Sequence, residues 1–320
     1  GVNPMKYYKF SLGSTWGLHS GLVLFSVVFL VCGLCTGTYG LGVIDSIAGT
    51  GSGGFSGDGG RAKSAKVNYP SGVYADRVGN VYFTDHINHR VRKIDASGVI
   101  STVAGTGTPG YNGDGILGAN AKLNFPRDVV ADSVGNVYIA DMDNDRIRMV
   151  DTSGMISTVA GTGEQGYGGD DGPGVDALIN EPTGLAVDRF DDVYISDRWN
   201  HRIRKIDVST GIISTVVGNG LRGYKGDDGP ALLCEMRYPC AVDVDQSGQI
   251  FIADTSNEVI RKVDTNGIIT TIAGEGGAPG YSGNGGLAVN AHLNEPWDVA
   301  VGSNGSVYIA DMRNNQVREI

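Results

Sequence analysis

The chain has 320 residues, enough for one large domain or two small ones, and 51 of them are glycine. It carries 25 Lys and Arg against 35 Asp and Glu, and the only charged residues in the first 42 positions are Lys6 and Lys9. Nucleic-acid affinity rests largely on basic side chains that neutralise phosphates, so this acidic body disfavours nucleic-acid binding.

Residues 1–40 are predicted to be a separate segment. The weakly basic stretch MKYYKF is followed by the uncharged stretch GLVLFSVVFLVCGLC at 21–35 and then by small residues. This order is typical of a cleaved secretory signal, and an apolar stretch extended to about 20 residues would also suffice for a membrane anchor. A buried apolar segment is the third alternative. The first two predict a secreted or cell-surface body that meets a membrane only through this segment.

A glycine-rich loop occurs five times in the body. Copies begin at Ser46, Ser101, Ser157, Ser214 and Thr270, and four of the five match G-x-G-x-x-G. A dinucleotide site needs one such loop, placed after a strand and opening a helix. None of these loops opens a long amphipathic helix, so we interpret the glycines as turn residues that allow positive φ.

Each repeat predicts four short strands. Within 126–162 the stretches PRDVVAD, VYIAD, RIRMVD and ISTVAGTG are separated by the turns SVGN, MDND and TSGM. The repeat length is 56 or 57 residues. Tandem four-stranded units of nearly equal length predict an all-β fold, a β-propeller of five visible blades over residues 43–320. The innermost strand of each blade should be the most apolar.

The ends leave two alternatives for the ring. The stretch VIDSIAGTG at 43–51 resembles a fourth strand without the preceding three, and the fifth repeat stops at Ile320 after its third strand. Either the N-terminal strand completes the last blade and closes a five-bladed ring, or the chain contains an incomplete six-bladed ring.

Three polar positions recur in every blade and are therefore predicted to serve the scaffold. We expect the Asp and Asn to bond backbone N–H groups in turns, and the Arg to pair with an acid on a neighbouring strand or blade. The sets are Asp85, Asp141, Asp197, Asp254 and Asp311; Asn88, Asn144, Asn200, Asn257 and Asn314; and Arg92, Arg148, Arg204, Arg261 and Arg318.

The glycine loops also contain an Asp whose carboxylate is a candidate calcium ligand. It lies at Asp58, Asp114, Asp170 and Asp227, and Asn284 replaces it in the fifth loop. Calcium takes 6–8 oxygen ligands, whereas each loop offers one or two carboxylates, so a turn-stabilising role is favoured.

The repeats resemble the NHL-repeat family. The similarity lies in LNEPTGLAVDRFDDVYISDRWNHRIRKID and in the N-H-R triplets at Asn88–Arg90 and Asn200–Arg202. The repeat spacing, with its G-Y-x-G-D-G loop, resembles the NHL propeller of teneurin-type cell-surface proteins. The resemblance implies protein or carbohydrate recognition, and usually six blades. Some members of the family bind RNA through a basic face, which this body lacks.

Function is expected where the repeat symmetry breaks on one rim. The turns between second and third strands and the loops between blades share that rim. An exposed Trp beside an Arg is a common recognition anchor, although Trp297 could instead plug the channel mouth. The candidate binding residues are Arg127, Asp128, Arg198, Trp199, Trp297 and Asp298. The sequence therefore predicts an extracytoplasmic module that binds a protein or a carbohydrate.

The alternatives are a metal-dependent propeller lyase or hydrolase and a structural segment of a longer surface protein. One similar propeller class is a zinc-dependent amidating lyase. A zinc site would need His86, His201 and His292 to converge, and nothing in their spacing indicates that they do. No cofactor is expected, with calcium or zinc left open.

Two local modifications are also candidates. Cys234 and Cys240 could form a disulfide in a secreted chain. Asn304 begins an Asn-Gly-Ser glycosylation acceptor, but Asn-Gly is also a favoured hairpin turn.

Overall fold

The structure is a computed structural model that describes residues 44–320 as five antiparallel sheets in succession. In each sheet the long strands pair in chain order, as in a β-propeller blade, which confirms the predicted fold. The proposed signal or anchor at residues 1–40 lies outside the described residues. Within 44–320 the helices are single 3₁₀ turns, and none has the length and apolar character needed to span a membrane.

Four blades have four long strands and the fifth has three. Blade 1 contains β1 (Pro70–Ala75), β2 (Val81–Asp85), β3 (Arg90–Ile94) and β4 (Ile100–Ala104). Blade 2 contains β5 (Ile116–Leu117), β6 (Pro126–Ala131), β7 (Val137–Asp141), β8 (Arg146–Val150) and β9 (Met155–Ala160). Blade 3 contains β10 (Gly172–Pro173), β11 (Pro182–Val187), β12 (Val193–Asp197), β13 (Arg202–Asp207) and β14 (Ile212–Val217). Blade 4 contains β15 (Gly229–Pro230), β16 (Ala241–Val244), β17 (Ile250–Asp254), β18 (Val259–Val263) and β19 (Ile268–Ala273). Blade 5 contains β20 (Pro296–Val301), β21 (Val307–Asp311) and β22 (Gln316–Glu319).

The core lies between the faces of successive blades. Strand β6 is buried at every position, and so are the second strands β2, β7, β12 and β17, whereas β8 and β9 contain both buried and half-buried positions. Inner strands pack in sequence, β1 on β6, β6 on β11, β11 on β16 and β16 on β20. Both faces of an inner or second strand are therefore covered, which explains their near-continuous apolar sequences.

A 3₁₀ turn joins the second and third strands of every blade. In blade 2, Asn144 is the last residue of this turn, and Asp145 after it has φ of 50°. The left-handed residue is thus the one that follows the recurring Asn. The residues at this position are His89, Asp145, His201, Glu258 and Asn315.

The recurring Arg is a buried cation in blades 1–4. In blade 3, Arg204 is fully buried, and its Nη2 lies 2.6 Å from Asp170 Oδ1 in the glycine loop. Its Nη1 lies 3.6 Å from Asp197 Oδ2 on the neighbouring strand. Burial raises the pKa of Asp197 to about 6, although hydrogen bonds from Asn200 and the Asn180 N–H, and then the charge of Arg204, act in the opposite direction. The predicted pairing of Arg with a neighbouring acid is confirmed.

The recurring Asp and Asn hold the loop that enters the blade. Asp197 Oδ1 accepts the N–H of Asn180, 17 residues earlier, at 2.9 Å. Asn200 Nδ2 donates to Asp197 and, at 2.6 Å, to the carbonyl of Gly166. The Asp therefore accepts a backbone N–H as predicted, but from the preceding loop and not from its own turn.

The last blade is not completed by the N-terminal segment. Residues 44–51 form no strand, and they bond to blade 1 through Gly49 N to Ala62 O and Thr50 N to Ala65 O, both 3.0 Å. Strand β22 remains the edge of a three-stranded sheet. Among the described residues, β20 and β1 do not pack together as consecutive inner strands do. The arrangement is therefore five blades with an open side, and the closed-ring alternative does not hold in this structure.

The buried arginine gives a test of the scaffold. Replacing Arg204 by Ala leaves Asp197 as a buried carboxylate without its cation, so we expect a loss of about 3–5 kcal/mol in the free energy of unfolding. Urea denaturation followed by circular dichroism measures it. Lys225→Ala, which breaks the exposed pair with Glu235, is the control and should cost at most about 1 kcal/mol. Equal losses in the two variants would contradict the role of the buried pair.

Candidate functional site

The symmetry-breaking rim gathers residues from blades 2, 3 and 5. The Arg127 guanidinium, near the start of β6, lies 4.7 Å from the ring centroid of Trp297, near the start of β20. The Arg198 guanidinium, in the turn after β12, lies 5.6 Å from the same ring. Arg127 is buried and Trp297 is half-buried. The structure thus brings these three predicted residues together, with two guanidinium groups close to the Trp297 ring.

Trp199 extends this cluster toward solvent. Its side chain is 44% exposed, and its ring packs edge-on against Tyr238 at 4.8 Å between centroids. Trp199 Nε1 donates to Glu181 Oε2 at 2.6 Å, and Arg198 Nη1 donates to the same oxygen at 3.2 Å. The exposed Arg222 places its guanidinium 5.0 Å from the Tyr238 ring. We call the set of Arg127, Arg198, Trp199, Arg222, Tyr238 and Trp297 the aromatic–arginine rim.

The repeat pattern did not lead to Tyr238, Arg222 and Glu181. Tyr238 and Glu181 precede the proline of an inner strand, a position occupied in other blades by Tyr69, Phe125 and Glu295. All five have φ between 47° and 53°. The variation at this position was the available signal, because it breaks the repeat symmetry on the predicted rim.

Asp128 and Asp298 are predicted binding residues that the structure buries. Asp128 Oδ2 accepts the N–H of Leu185 from blade 3 at 2.8 Å, so it joins two blades. Asp298 Oδ1 accepts the N–H of Val299 at 2.9 Å. Both are at most 1% exposed. Their carboxylates support the inner strands and are not part of the exposed surface.

The three candidate zinc ligands are held apart by separate contacts. His86 Nδ1 donates a hydrogen bond to the Pro126 carbonyl oxygen at 3.1 Å. His201 Nδ1 accepts the N–H of Tyr238 at 3.1 Å, and the exposed His292 contacts Glu275 through Nε2 at 2.7 Å. Within residues 44–320 no three His, Cys, Asp or Glu side chains are placed to hold a metal ion.

The histidine of the N-H-R triplet has a structural role at the blade junction. His89 Nδ1 accepts the N–H of Phe125 in blade 2, as His201 accepts that of Tyr238 in blade 4. Asp145 accepts the N–H of Glu181 at 2.9 Å, and Glu258 accepts that of Glu295. All four junctions therefore use the side chain of the left-handed residue to bind the residue before the next proline.

The two modification candidates differ in outcome. Cys234 and Cys240 are buried free thiols, so the predicted disulfide is absent from this structure. Cys234 packs in the core between blades 3 and 4, and Cys240 Sγ contacts the Tyr238 carbonyl at 3.4 Å. Asn304 lies in the exposed turn between β20 and β21, where its amide bonds Ser306. Its glycosylation stays a prediction.

His86 predicts a pH dependence of stability. Burial, and next the charge of Arg127, lower the pKa of His86 to about 4, whereas an unfolded histidine titrates near pH 6.5. Between these values the unfolded state binds more protons, so the contribution of His86 to stability is lost as pH falls. Thr255, at the same position in blade 4, donates to the Pro296 carbonyl at 2.8 Å, so His86→Thr offers an uncharged replacement.

We expect the free energy of unfolding of the wild type, relative to His86→Thr, to fall by about 3 kcal/mol between pH 7 and pH 4. Denaturant titrations of both proteins at unit pH intervals give this difference, in which the other titrating groups cancel. A difference that does not change with pH would contradict the neutral, buried state of His86.

The contacts of the loop aspartates predict that chelators leave the stability of the fold unchanged. Arg204 and Thr215 already engage the carboxylate of Asp170, and the Asp227 carboxylate lies 2.6 Å from Arg261. We therefore expect EDTA to leave the melting temperature unchanged. A melting temperature that falls in EDTA and recovers with calcium would instead place a calcium ion in these loops.

Comparison with known proteins agrees with the repeat architecture. The Teneurin NHL domain family model matches residues 50–110, 107–167 and 220–279, together more than half of the chain. The NHL repeat model matches residues 180–206 and 293–320. The solved streptogramin B lyase structure has a TM-score of 0.50 at 16% identity, covering 78% of this chain and 68% of that chain. This likeness concerns the fold alone.

Two curated relatives share 30% identity with the chain. Protein SUPPRESSOR OF QUENCHING 1, chloroplastic, of Arabidopsis thaliana aligns over 276 residues, 65% of this chain and 26% of the relative. Teneurin-1 of Mus musculus aligns over 278 residues, 75% of this chain and 10% of the relative. The chain thus spans only 26% and 10% of the length of these two proteins. With its five NHL blades and these matches, the chain belongs to the Teneurin NHL domain family.

Proposed function

We propose that this propeller is a protein-binding module whose contact surface is the solvent-accessible part of the aromatic–arginine rim, beneath which Arg127 is buried. The proposal rests on Trp199, whose ring is accessible to solvent and held in one orientation. Trp199 is 44% exposed, yet its ring is oriented by the hydrogen bond to Glu181 and by edge contact with Tyr238. An exposed indole that packing and a hydrogen bond already orient is suited to contact a second molecule.

The composition of the rim matches that of binding hot spots. Trp, Tyr and Arg are the residue types most enriched among the side chains that dominate interface energies. A ring already held in one orientation loses little conformational entropy on association. Trp199 and Tyr238 supply rigid apolar area, and Arg198 and Arg222 supply charge around it.

The positive charge of the arginines near Trp199 indicates what kind of partner the rim would bind. Burial, and then the charges of Arg222, Arg202 and Arg237, lower the pKa of His201 below its usual value. This concentration of arginines occurs in a chain whose net charge is −10. A partner surface with acidic side chains would complement it, whereas a neutral carbohydrate would leave the guanidinium charges unused. We therefore favour a protein over a glycan.

We also propose that the propeller acts outside the cytosol. The similarity to teneurins and the signal-like pattern of residues 1–40 support this location. Propellers built from NHL repeats commonly mediate protein interactions, which agrees with a binding module.

The test is capture of cell-surface proteins from the source organism with immobilised wild type and Trp199→Ala. We expect Trp199→Ala to weaken binding of the captured protein by about 30-fold, the effect of losing a hot-spot side chain. Binding should also weaken with increasing salt.

Phe190→Ala is the matched control. Phe190 is an exposed aromatic residue of the same blade, in the turn between β11 and β12 at the opposite end of the strands. It should leave binding unchanged. Equal binding by wild type, Trp199→Ala and Phe190→Ala would reject the rim as the contact surface. Loss of binding after enzymatic removal of glycans from the partner would assign the rim to carbohydrate recognition.

A further inference from the structure

Two arginines of blade 4 carry positive charges that no carboxylate of residues 44–320 neutralises in an ion pair. The exposed Arg222 guanidinium lies 5.0 Å from the centroid of the Tyr238 ring and makes no hydrogen bond with residues 44–320. Arg237 donates from Nη1 to the Ser256 carbonyl at 3.3 Å, and its buried Nε–H meets no acceptor in the described part of the chain. Both guanidinium groups therefore have donors left for an anion.

Both arginines are specific to blade 4. At the position of Arg237 every other blade has an asparagine, and at the position of Arg222 the others have glycine, proline or glutamine. These residues are Asn68, Asn124, Asn180 and Asn294, and Gly53, Pro109, Gln165 and Pro279. Four blades fold without arginine at either position, so the scaffold does not require the two charges.

The two arginines are held against the same 3₁₀ turn, Thr255–Asn257. Arg237 bonds the carbonyl of Ser256 in this turn, and the Ser256 N–H donates to the Arg237 carbonyl at 3.1 Å. The last residue of the turn donates its side-chain amide to the carbonyl of Gly223, next to Arg222, at 2.7 Å. One short turn thus fixes the segments that carry both charges.

The electrostatics of His201 also place the two charges close together. Burial lowers the pKa of His201 below its usual value, and the charges of Arg222, Arg202 and Arg237 lower it further. Because such an effect falls off with distance, all three guanidinium groups lie near this ring. Arg202 already donates to two backbone carbonyls, which leaves Arg222 and Arg237 to meet an anion.

The turn offers a small polar side chain beside the arginines. Ser256 is the smallest of the five residues at its position, where the other blades have Ile87, Asp143, Trp199 and Arg313. Its hydroxyl makes no hydrogen bond with residues 44–320. A short side chain leaves room over the turn, and its O–H is a third donor for a bound anion.

The carboxylates on neighbouring elements are engaged elsewhere. Glu235 Oε1 lies 3.4 Å from Lys225 Nζ, and Glu258 accepts the N–H of Glu295. Burial raises the pKa of Glu258 more than the charge of Arg237 lowers it. These acids therefore leave the positive charge of the two arginines available.

The neighbouring blade junction has the opposite charge. Asp143, Asp145 and Glu181 lie between blades 2 and 3, where burial, and then the charges of Glu181 and Asp145, raise the pKa of Asp143 to about 6. An anion is therefore attracted to the junction of blades 3 and 4 and repelled from the one beside it.

The donor set suits a tetrahedral oxyanion on an aromatic carrier. Guanidinium groups bind phosphate-like groups through strong charge-assisted hydrogen bonds. A sulfate or phosphate ester has three terminal oxygens, enough to accept from two guanidinium groups and a hydroxyl at once, whereas a carboxylate has two. The Tyr238 ring lies beside Arg222 and contacts the exposed Trp199, so an aryl group has rings to pack on.

We propose that Arg222, Arg237 and Ser256 form an oxyanion site for the sulfate or phosphate ester of a tyrosine side chain on the partner protein. The ester oxygens accept hydrogen bonds from the two guanidinium groups and the hydroxyl, and the aryl ring packs beside Tyr238. The site adjoins Trp199, so this inference rests on the proposed function and names the group that the rim recognises.

The probes are the N-acetyl amides of O-sulfotyrosine, O-phosphotyrosine and tyrosine, titrated calorimetrically into the full chain in chloride buffer. We expect saturable binding of the esters, with unesterified tyrosine bound at least about 10-fold more weakly because it lacks the charged acceptor. Arg222→Gln and Arg237→Gln should each weaken ester binding about 10-fold, the effect of one charge-assisted hydrogen bond.

Arg189→Gln is the matched control. Arg189 is exposed and its guanidinium lies 4.6 Å from the centroid of the Phe190 ring, but it occupies a turn at the opposite end of the strands. The control removes the same charge and should leave ester binding unchanged. Circular dichroism should show that Arg222→Gln remains folded, because its side chain makes no hydrogen bond with residues 44–320.

Four outcomes would overturn the proposal. They are the absence of saturable ester binding, equal ester binding by wild type and Arg222→Gln, binding of N-acetylglutamate amide as tightly as the esters, and binding of inorganic sulfate as tightly as sulfotyrosine. The last two would show that the site reads a carboxylate or an ion without its tyrosine. Tighter binding of one ester than of the other agrees with the proposal and identifies the modification.

The experiment separates this site from the proposed function. If the esters do not bind while Trp199→Ala still loses the captured protein, the rim stands as the contact surface and the ester site is rejected. If the esters bind while Trp199→Ala captures the partner as the wild type does, the ester site stands and the rim proposal is rejected.

Discussion

The buried arginine of each complete blade is the interaction on which the rest of the structure depends. A guanidinium removed from water must have nearly all its N–H groups matched by acceptors, or it would destabilise the fold by several kcal/mol. Arg204 meets this demand with Asp170, Asp197 and two loop carbonyls, which come from different parts of the repeat. The third strand, the second strand and the glycine loop are therefore tied together by one side chain. The loop can be long and rich in glycine because its path is set by this cation and by the amide of Asn200.

Contacts between blades depend on a second device. The left-handed residue after each 3₁₀ turn binds an N–H at the start of the next blade, and His, Asp and Glu all serve as the acceptor. The histidine of the N-H-R triplet is thus one solution among several to the same requirement. Asn315 holds this position in blade 5 and, among the described residues, receives no such N–H.

Comparison of the five repeats led to some of the residues that the structure gathers at the rim and missed others. Positions that differ between blades led to Arg127, Arg198, Trp199 and Trp297, which the structure does gather. The same reasoning selected Asp128, which is buried because its carboxylate bonds an adjacent blade. Tyr238 holds a fixed position before the proline, where its variation between blades was the available signal. Arg222 was missed because it lies in a glycine loop of variable composition, so its approach to Tyr238 could not be deduced from spacing. Of the three candidate histidines, His86 and His292 are unique among the repeats, whereas His201 recurs as His89 in blade 1, and each of the three has a local partner.

The sequence by itself determined the strand structure of a single blade. Repeat length, alternating apolar residues and turn residues specify four antiparallel strands, because side-chain direction in a strand alternates with a period of two. The recurring Asp, Asn and Arg could likewise be assigned to the scaffold from their repetition alone. Only the tertiary structure decided how blades 5 and 1 relate, since closure depends on small rotations between blades that no residue pattern encodes. It also decided which variable side chains share a surface, because that requires residues from blades distant in sequence to meet across the axis.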